Sequence, residues 1–203
     1  LGDWVVSKEV WPNGLKPLSD IVNSKGMEFG LWFEGEMIQL DSDAYRAHPE
    51  WVLQETGRMP VAGRQQQVID LTNPAAYAHV LEQVDATLKS ANISYIKWDH
   101  NRSLSDPISG GRAAVRKQTL AIYSLFDELK KRNPGLEIES CSSGGGRVDL
   151  GMIEHADRFW TSDQNDALER QQIQRWTGLV IPPEFLGTHV GPTVSHQTHR
   201  TQS

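Results

Sequence analysis

Between Tyr95 and Arg102 the sequence reads Tyr-Ile-Lys-Trp-Asp-His-Asn-Arg. Ile93, Tyr95 and Ile96 are β-branched or aromatic and suit a buried strand. With no turn residue in between, an amine, a carboxylate, an amide and a guanidinium follow. In a parallel α/β protein the C-terminal strand ends are where ligands bind and chemistry is done. Asp99 is therefore read as a catalytic carboxylate, Lys97 and Asn101 as substrate-holding groups, and Trp98 as packing beneath them. The competing reading is a structural ion pair of Asp99 with Lys97 or Arg102.

The same junction recurs. Phe29 to Phe33 runs into Glu34 and Glu36, Val68-Ile69 into Asp70, and Leu136 to Glu139 into Cys141 and Gly144 to Gly146. Phe159 to Ser162 runs into Asp163, and Ile181 to Gly187 leads to His189. At the C-terminal face of a barrel these ends, with Trp32, Arg64, Lys97, Asp99, Asn101 and Trp160, converge on one pocket. Tryptophans and carboxylates with few cations suit a neutral polyol better than a phosphate. Paired carboxylates are what glycosidic bond cleavage needs, one as nucleophile or base and one as proton donor. The run Ser142 to Arg147 lacks the Gly-Lys-Ser/Thr ending of a P-loop. Its glycines are read as backbone approaching a ligand closely, or as a flexible loop. Cys141 has no partner base nearby in sequence and is read as a small buried or substrate-lining thiol. The histidines show no His-Glu-x-x-His pattern, and His196 and His199 fall in a polar tail that reads as solvated.

Helices are expected over 15–25, from Asn73-Pro74 to about Lys89, over 112–132, briefly over 148–155, and over 167–178. Residues 41–63 read as a long loop, and Ser105 to Gly111 as another. Strand and helix alternate, with polar clusters just after the strands, which indicates α/β with a parallel sheet. Five or six such strands, without a glycine-rich dinucleotide fingerprint, fit a (β/α)₈ TIM barrel better than a doubly wound sheet.

The 203 residues suffice for one domain, or for most of such a barrel. A net charge of −6 argues against nucleic-acid and anionic-membrane partners. No apolar run is long enough to span a bilayer. The single cysteine excludes an internal disulfide and is compatible with a reducing compartment. The chain opens on Leu-Gly-Asp-Trp without methionine and is expected to be a piece of a longer protein.

Seven segments, in order, resemble the α-galactosidases of glycoside hydrolase family 36. They are Leu1-Gly2-Asp3-Trp4; Gly30-Leu31-Trp32-Phe33-Glu34-x-Glu36-Met37; His48-Pro49-x-Trp51; Arg64-Gln65 with Ile69-Asp70-Leu71; Tyr95 to Asp99 with Asn101-Arg102; Cys141-Ser142-x-Gly144-Gly145-Gly146-Arg147; and Trp160-Thr161-Ser162-Asp163 with Asp166-Ala167 and Arg170. The resemblance implies a retaining exo-acting enzyme on melibiose- and raffinose-type α-galactoside oligosaccharides, with no cofactor and no metal. By the same matching, Asp99 would be the nucleophile and Asp163 the acid/base. Asp166 is the rival acid, placed where it would cap the next helix. Trp32, Arg64, Lys97, Asn101, Cys141, Gly144 and Trp160 would line the galactose subsite. The family's Asp-Asp-Gly-Trp segment would precede Leu1. Residues 1–203 are thus expected to be part of one catalytic barrel domain truncated at both ends, lacking the first strand and the barrel's end. The parent is expected to be a cytoplasmic homo-oligomer.

Three positions depart from the family's usual residues: Gly35 for Pro, which could loosen its loop, His100 for Met, and Ser143 for Gly. Three alternatives stay open. One is a galactosyl transferase of the raffinose or stachyose synthase type, and another is a non-catalytic sugar-binding module. The third is a metal-dependent barrel hydrolase using Glu34, Glu36, Asp99 and His189.

Overall fold

The structure, a computed structural model, describes residues 1–191 together with 194 and 199. The remainder of the polar tail, including His196, lies outside the described residues. The chain begins with α1 (Lys16–Ser24), β1 (Gly30–Phe33), β2 (Met37–Ile38), α2 (Asp43–Ala47) and β3 (Gln67–Val68). It continues with α3 (Pro74–Lys89), β4 (Tyr95–Trp98), β5 (Ile108–Ser109), β6 (Arg112–Ala113) and α4 (Val115–Arg132). β7 (Glu137–Ser140), β8 (Arg158–Trp160), α5 (Ala167–Thr177) and β9 (Leu186–Gly187) complete it.

Strands β1, β4, β7, β8 and β9 form one parallel sheet in that order. Its two faces differ because side chains alternate along a strand. On one face Phe33, Ile96, Trp98, Ile138 and Phe159 share a core with Val80 and Val84 of α3 and Ile122 and Phe126 of α4. On the other face the register sets Trp32 beside Lys97, Lys97 beside Glu139, and Glu139 beside Arg158. Burying each large apolar side chain is worth ~1.5–3 kcal/mol. A one-residue slip of β4 would turn Trp98 out of the core and Asp99 into it. Packing beneath the sheet therefore fixes which way Asp99 faces.

The helices carry their own start signals. Asn73 caps α3 by accepting from the N–H groups of Ala75 and Ala76, with Pro74 at the first position. Asp166 caps α5 in the same way, accepting from Leu168 at 2.9 Å and Glu169 at 3.3 Å. Arg132, in the last turn of α4, reaches Glu82 of α3 at 2.8 Å.

Several sequence expectations are corrected. The strand expected at Val68-Ile69 is not in the parallel sheet: β3 pairs antiparallel with β2. Asp70 then folds back on its own turn, accepting from the Thr72 N–H and hydroxyl, and takes no part in the polar cluster. The loop over 41–63 contains α2 and a 3₁₀ turn, Pro49–Trp51. The helix expected from 112 starts at Val115, because β5 and β6 form a hairpin whose turn residues, Gly110 and Gly111, take φ of 55° and 72°. The short helix over 148–155 is only a 3₁₀ turn, Met152–Glu154. Among the described residues no helix is long and apolar enough to cross a membrane.

Candidate active site

Asp99 follows β4 directly, between β1 and β7 in the sheet. Its N–H donates to the Phe33 carbonyl at 2.8 Å, and the Cys141 N–H donates to the Trp98 carbonyl at 2.8 Å, so the backbone is pinned from both neighbouring strands. Its carboxylate accepts from Trp32 Nε1 at 3.1 Å and from the His100 N–H at 2.9 Å. Burial alone would push this carboxyl up; hydrogen bonds from Asn101, Trp32, Cys141 and the His100 N–H outweigh it and hold the group below its ordinary value. The structural ion pair with Lys97 or Arg102 does not form. Lys97 lies 3.7 Å from Glu139, and Arg102 donates to the Gln66 and Val61 carbonyls and to Gln67. Asp99 is thus an ionised carboxylate held by neutral donors. The Cys141 thiol is pushed up to about 12, first by burial and then by the Asp99 charge, and stays a neutral donor.

A second cluster sits at the ends of β8 and β9. The exposed carboxylate of Asp163 accepts from Trp160 Nε1 at 2.6 Å. Lys97 Nζ stands 4.0 Å from the Trp160 ring centre, and His189 stacks on that ring at 5.0 Å. Burial, with the nearby Arg170 charge, holds His189 below its ordinary value. Buried Arg170 donates to the Ser162 carbonyl at 2.6 Å and to Thr188 at 3.1 Å, fixing the segment that carries Asp163. Lys97 joins the two clusters, since it lies on the same face as Trp32 and reaches over to β8.

A third group borders Asp99. Buried Glu34 accepts from Asn101 Nδ2, and from Gln66 Nε2 at 3.1 Å, with Arg64 Nη1 3.9 Å away. Arg64 and Gln65 occupy the tip of a turn with φ of 53° and 59°, a conformation that costs non-glycine residues about 1–3 kcal/mol and is typical of functional sites. That turn leaves the Arg64 side chain largely exposed at the rim.

The family model described as Melibiase matches residues 1–203. The chain belongs to the melibiase family. An α-galactosidase of Escherichia coli is 45% identical over 203 residues, covering 100% of this chain and 29% of that protein. Two crystal structures of variants of the family 36 α-galactosidase AgaA from Geobacillus stearothermophilus, one with raffinose and one with stachyose, superpose with a TM-score of 0.93. Each is 39% identical and is matched by 100% of this chain over 29% of its own length. The resemblance to family 36 drawn from the seven segments therefore holds, and the chain spans under a third of the length of these relatives.

In this melibiase segment Trp32, Lys97, Asp99, Asn101, Cys141, Trp160 and Asp163 form one connected cluster, with Arg64 at its rim. Gly144 joins it differently from the expected ligand approach. At φ of 87°, a Cβ there would lie 3.0 Å from the Ser162 Cα, and one on Gly145 would lie 2.6 Å from the Thr161 carbonyl. What the glycines make room for is the backbone leading to Asp163. At Gly35 a Cβ would fall 2.1 Å from the Trp98 ring, which fills that space. Sequence reasoning missed Glu139 as the carboxylate beside Lys97; its only signal was a charge two residues before Cys141 on the same strand. Arg170 was missed as a brace because a buried arginine on a helix looks in sequence like a surface cation.

Proposed function

We propose that this chain is the central part of a retaining α-galactosidase that removes terminal galactose from raffinose-type oligosaccharides. In this reading the five parallel strands are part of a (β/α)₈ barrel, with the polar face of the sheet lining its interior. The observation that carries the reading is the Asp99 carboxylate, ionised by neutral donors at the C-terminal end of an interior strand. Complexes of AgaA variants with raffinose and stachyose support the substrate class.

Asp99 attacks the anomeric carbon and forms a galactosyl ester. Its lowered pKa makes it a good leaving group when that ester is hydrolysed. Asp163, exposed and oriented by Trp160, protonates the departing oxygen and then takes the proton of the attacking water. Trp32 offers an apolar face to the sugar, and Lys97, Asn101 and Arg64 its hydroxyl partners. Asp166 is engaged as a helix cap, which favours Asp163 as the acid. A cytoplasmic, homo-oligomeric parent remains part of the proposal.

Products formed by the parent protein from raffinose, with and without added sucrose or galactinol, test this. Hydrolysis predicts free galactose, released first as the α-anomer in proton NMR. Initial release of the β-anomer would contradict the retaining course. Galactose passed mainly to an acceptor sugar would make the protein a transferase.

A further inference from the structure

The two neighbours of Asp99 in sequence, Trp98 and His100, both turn away from the Asp99 carboxylate, and both end at the same glutamate, Glu36. Trp98 Nε1 donates to Glu36 Oε1 at 3.0 Å, and His100 Nδ1 lies 3.4 Å from Glu36 Oε2. Glu36 is fully buried, and Arg147 holds it with two hydrogen bonds of 2.6 and 3.0 Å. The same guanidinium lies 3.2 Å from His100 Nδ1. Gly35 provides the space in which the Trp98 ring meets Glu36.

We propose that Glu36 is the positioning residue for Asp99, acting through Trp98 on one side and His100 on the other. The inference rests on the reading of Asp99 as the nucleophile. Alternation along an extended chain means that anchoring residues 98 and 100 to one side presents residue 99 to the other. The anchor also orients the His100 peptide, whose N–H donates to Asp99 Oδ1 at 2.9 Å. Its carbonyl is held as well, accepting from the Ser142 hydroxyl at 3.1 Å. Arg147 neutralises Glu36, so the effect on Asp99 is one of geometry, not of added charge. Small misplacements of a reacting group are costly, with about 1 Å worth up to 100-fold in rate.

The test compares wild type, Glu36→Gln, His100→Leu and Asp99→Gly in the parent protein. Competent sites are counted by calorimetric titration with galactose, and kcat/KM is measured for nitrophenyl and alkyl α-galactosides. The expected result for Glu36→Gln and His100→Leu is galactose affinity close to wild type. Per-site kcat/KM should fall roughly tenfold or more, by the same factor for good and poor leaving groups. Should Glu36→Gln not fold, His100→Leu decides, since it leaves the Glu36–Arg147 pair intact. Wild-type rates per competent site in the folded variants would overturn the proposal and reduce Glu36 to a structural ion pair. An active Asp99→Gly would instead sink the nucleophile reading on which it rests.

Discussion

The indole Nε1 of Trp32 donates to Oδ2 of Asp99 at 3.1 Å, although in strand register Trp32 lies beside Lys97. The indole therefore reaches one step further along the neighbouring strand, from side chain to carboxylate. The donor is neutral, so it favours the ionised acid without forming the salt bridge that would occupy it. Cys141 and the His100 N–H act in the same way.

Cys141 shows how this arrangement can be probed. Its thiol is buried and pushed up to about 12, so almost no thiolate exists at neutral pH. Iodoacetamide at pH 7.5 is expected to leave activity unchanged over an hour, and Cys141→Ser to keep a donor to Asp99 and most of the turnover. Rapid alkylation that galactose prevents would show the thiol to be reactive.

Trp160 is expected to matter through its N–H as well as its ring. Trp160→Phe keeps an aromatic face for Lys97 and removes the 2.6 Å bond to Asp163. If Asp163 is the acid, kcat/KM should fall roughly tenfold or more for alkyl galactosides, consistent with ~1.5–3 kcal/mol for one lost bond to a charged group. Dinitrophenyl galactosides, whose leaving group needs no proton, should be nearly unaffected. Equal losses for both classes would remove Trp160 from the acid step.

The Glu36–Arg147 pair makes a prediction about acid. Burial opposes ionisation of Glu36, but Arg147 and His100 overcome it and hold the carboxyl well below its ordinary value. A depressed carboxyl contributes stability that is present above its unfolded pKa of about 4.3 and is lost as pH falls below it. Glu36→Gln, which leaves the partly buried Arg147 without a counter-charge, should cost about 3 kcal/mol or less at pH 7. The gap to wild type should narrow between roughly pH 4 and pH 2 in urea melts. A gap that stays constant across that range would contradict this.

The sheet itself limits how the 203 residues behave alone. Among the described residues β1 and β9 are its edges, and neither carries a second neighbour. Trp32, on β1, is exposed. Open parallel edges invite pairing between chains. Residues 1–203 expressed on their own are expected to self-associate and to show little turnover. A monomer in sedimentation with one cooperative melt would be contrary to this.

Asp99 and its surroundings were legible because an apolar strand and its polar end lie in eight consecutive residues, and side-chain alternation then sorts them. The capping role of Asp166 was legible for a similarly local reason. Strand β3 was misread because two-residue strands have no period, and pairing partners depend on the whole sheet. Glu139 and Arg147 are long-range partners, and one sequence does not say which charge a half-buried lysine or a buried glutamate will meet. The glycines at 144–146 reveal backbone freedom and room, but not that the neighbour is the chain before Asp163.

The most direct test of the account is nitrophenol release from a nitrophenyl α-galactoside by the parent protein, wild type beside Asp99→Gly, with and without azide. Active wild type, an inactive variant, and turnover restored by azide with β-galactosyl azide as product are predicted, because azide then attacks from the face that Asp99 occupied. Substantial activity of Asp99→Gly without azide would contradict the central claim and leave Asp99 as a structural carboxylate at the end of β4.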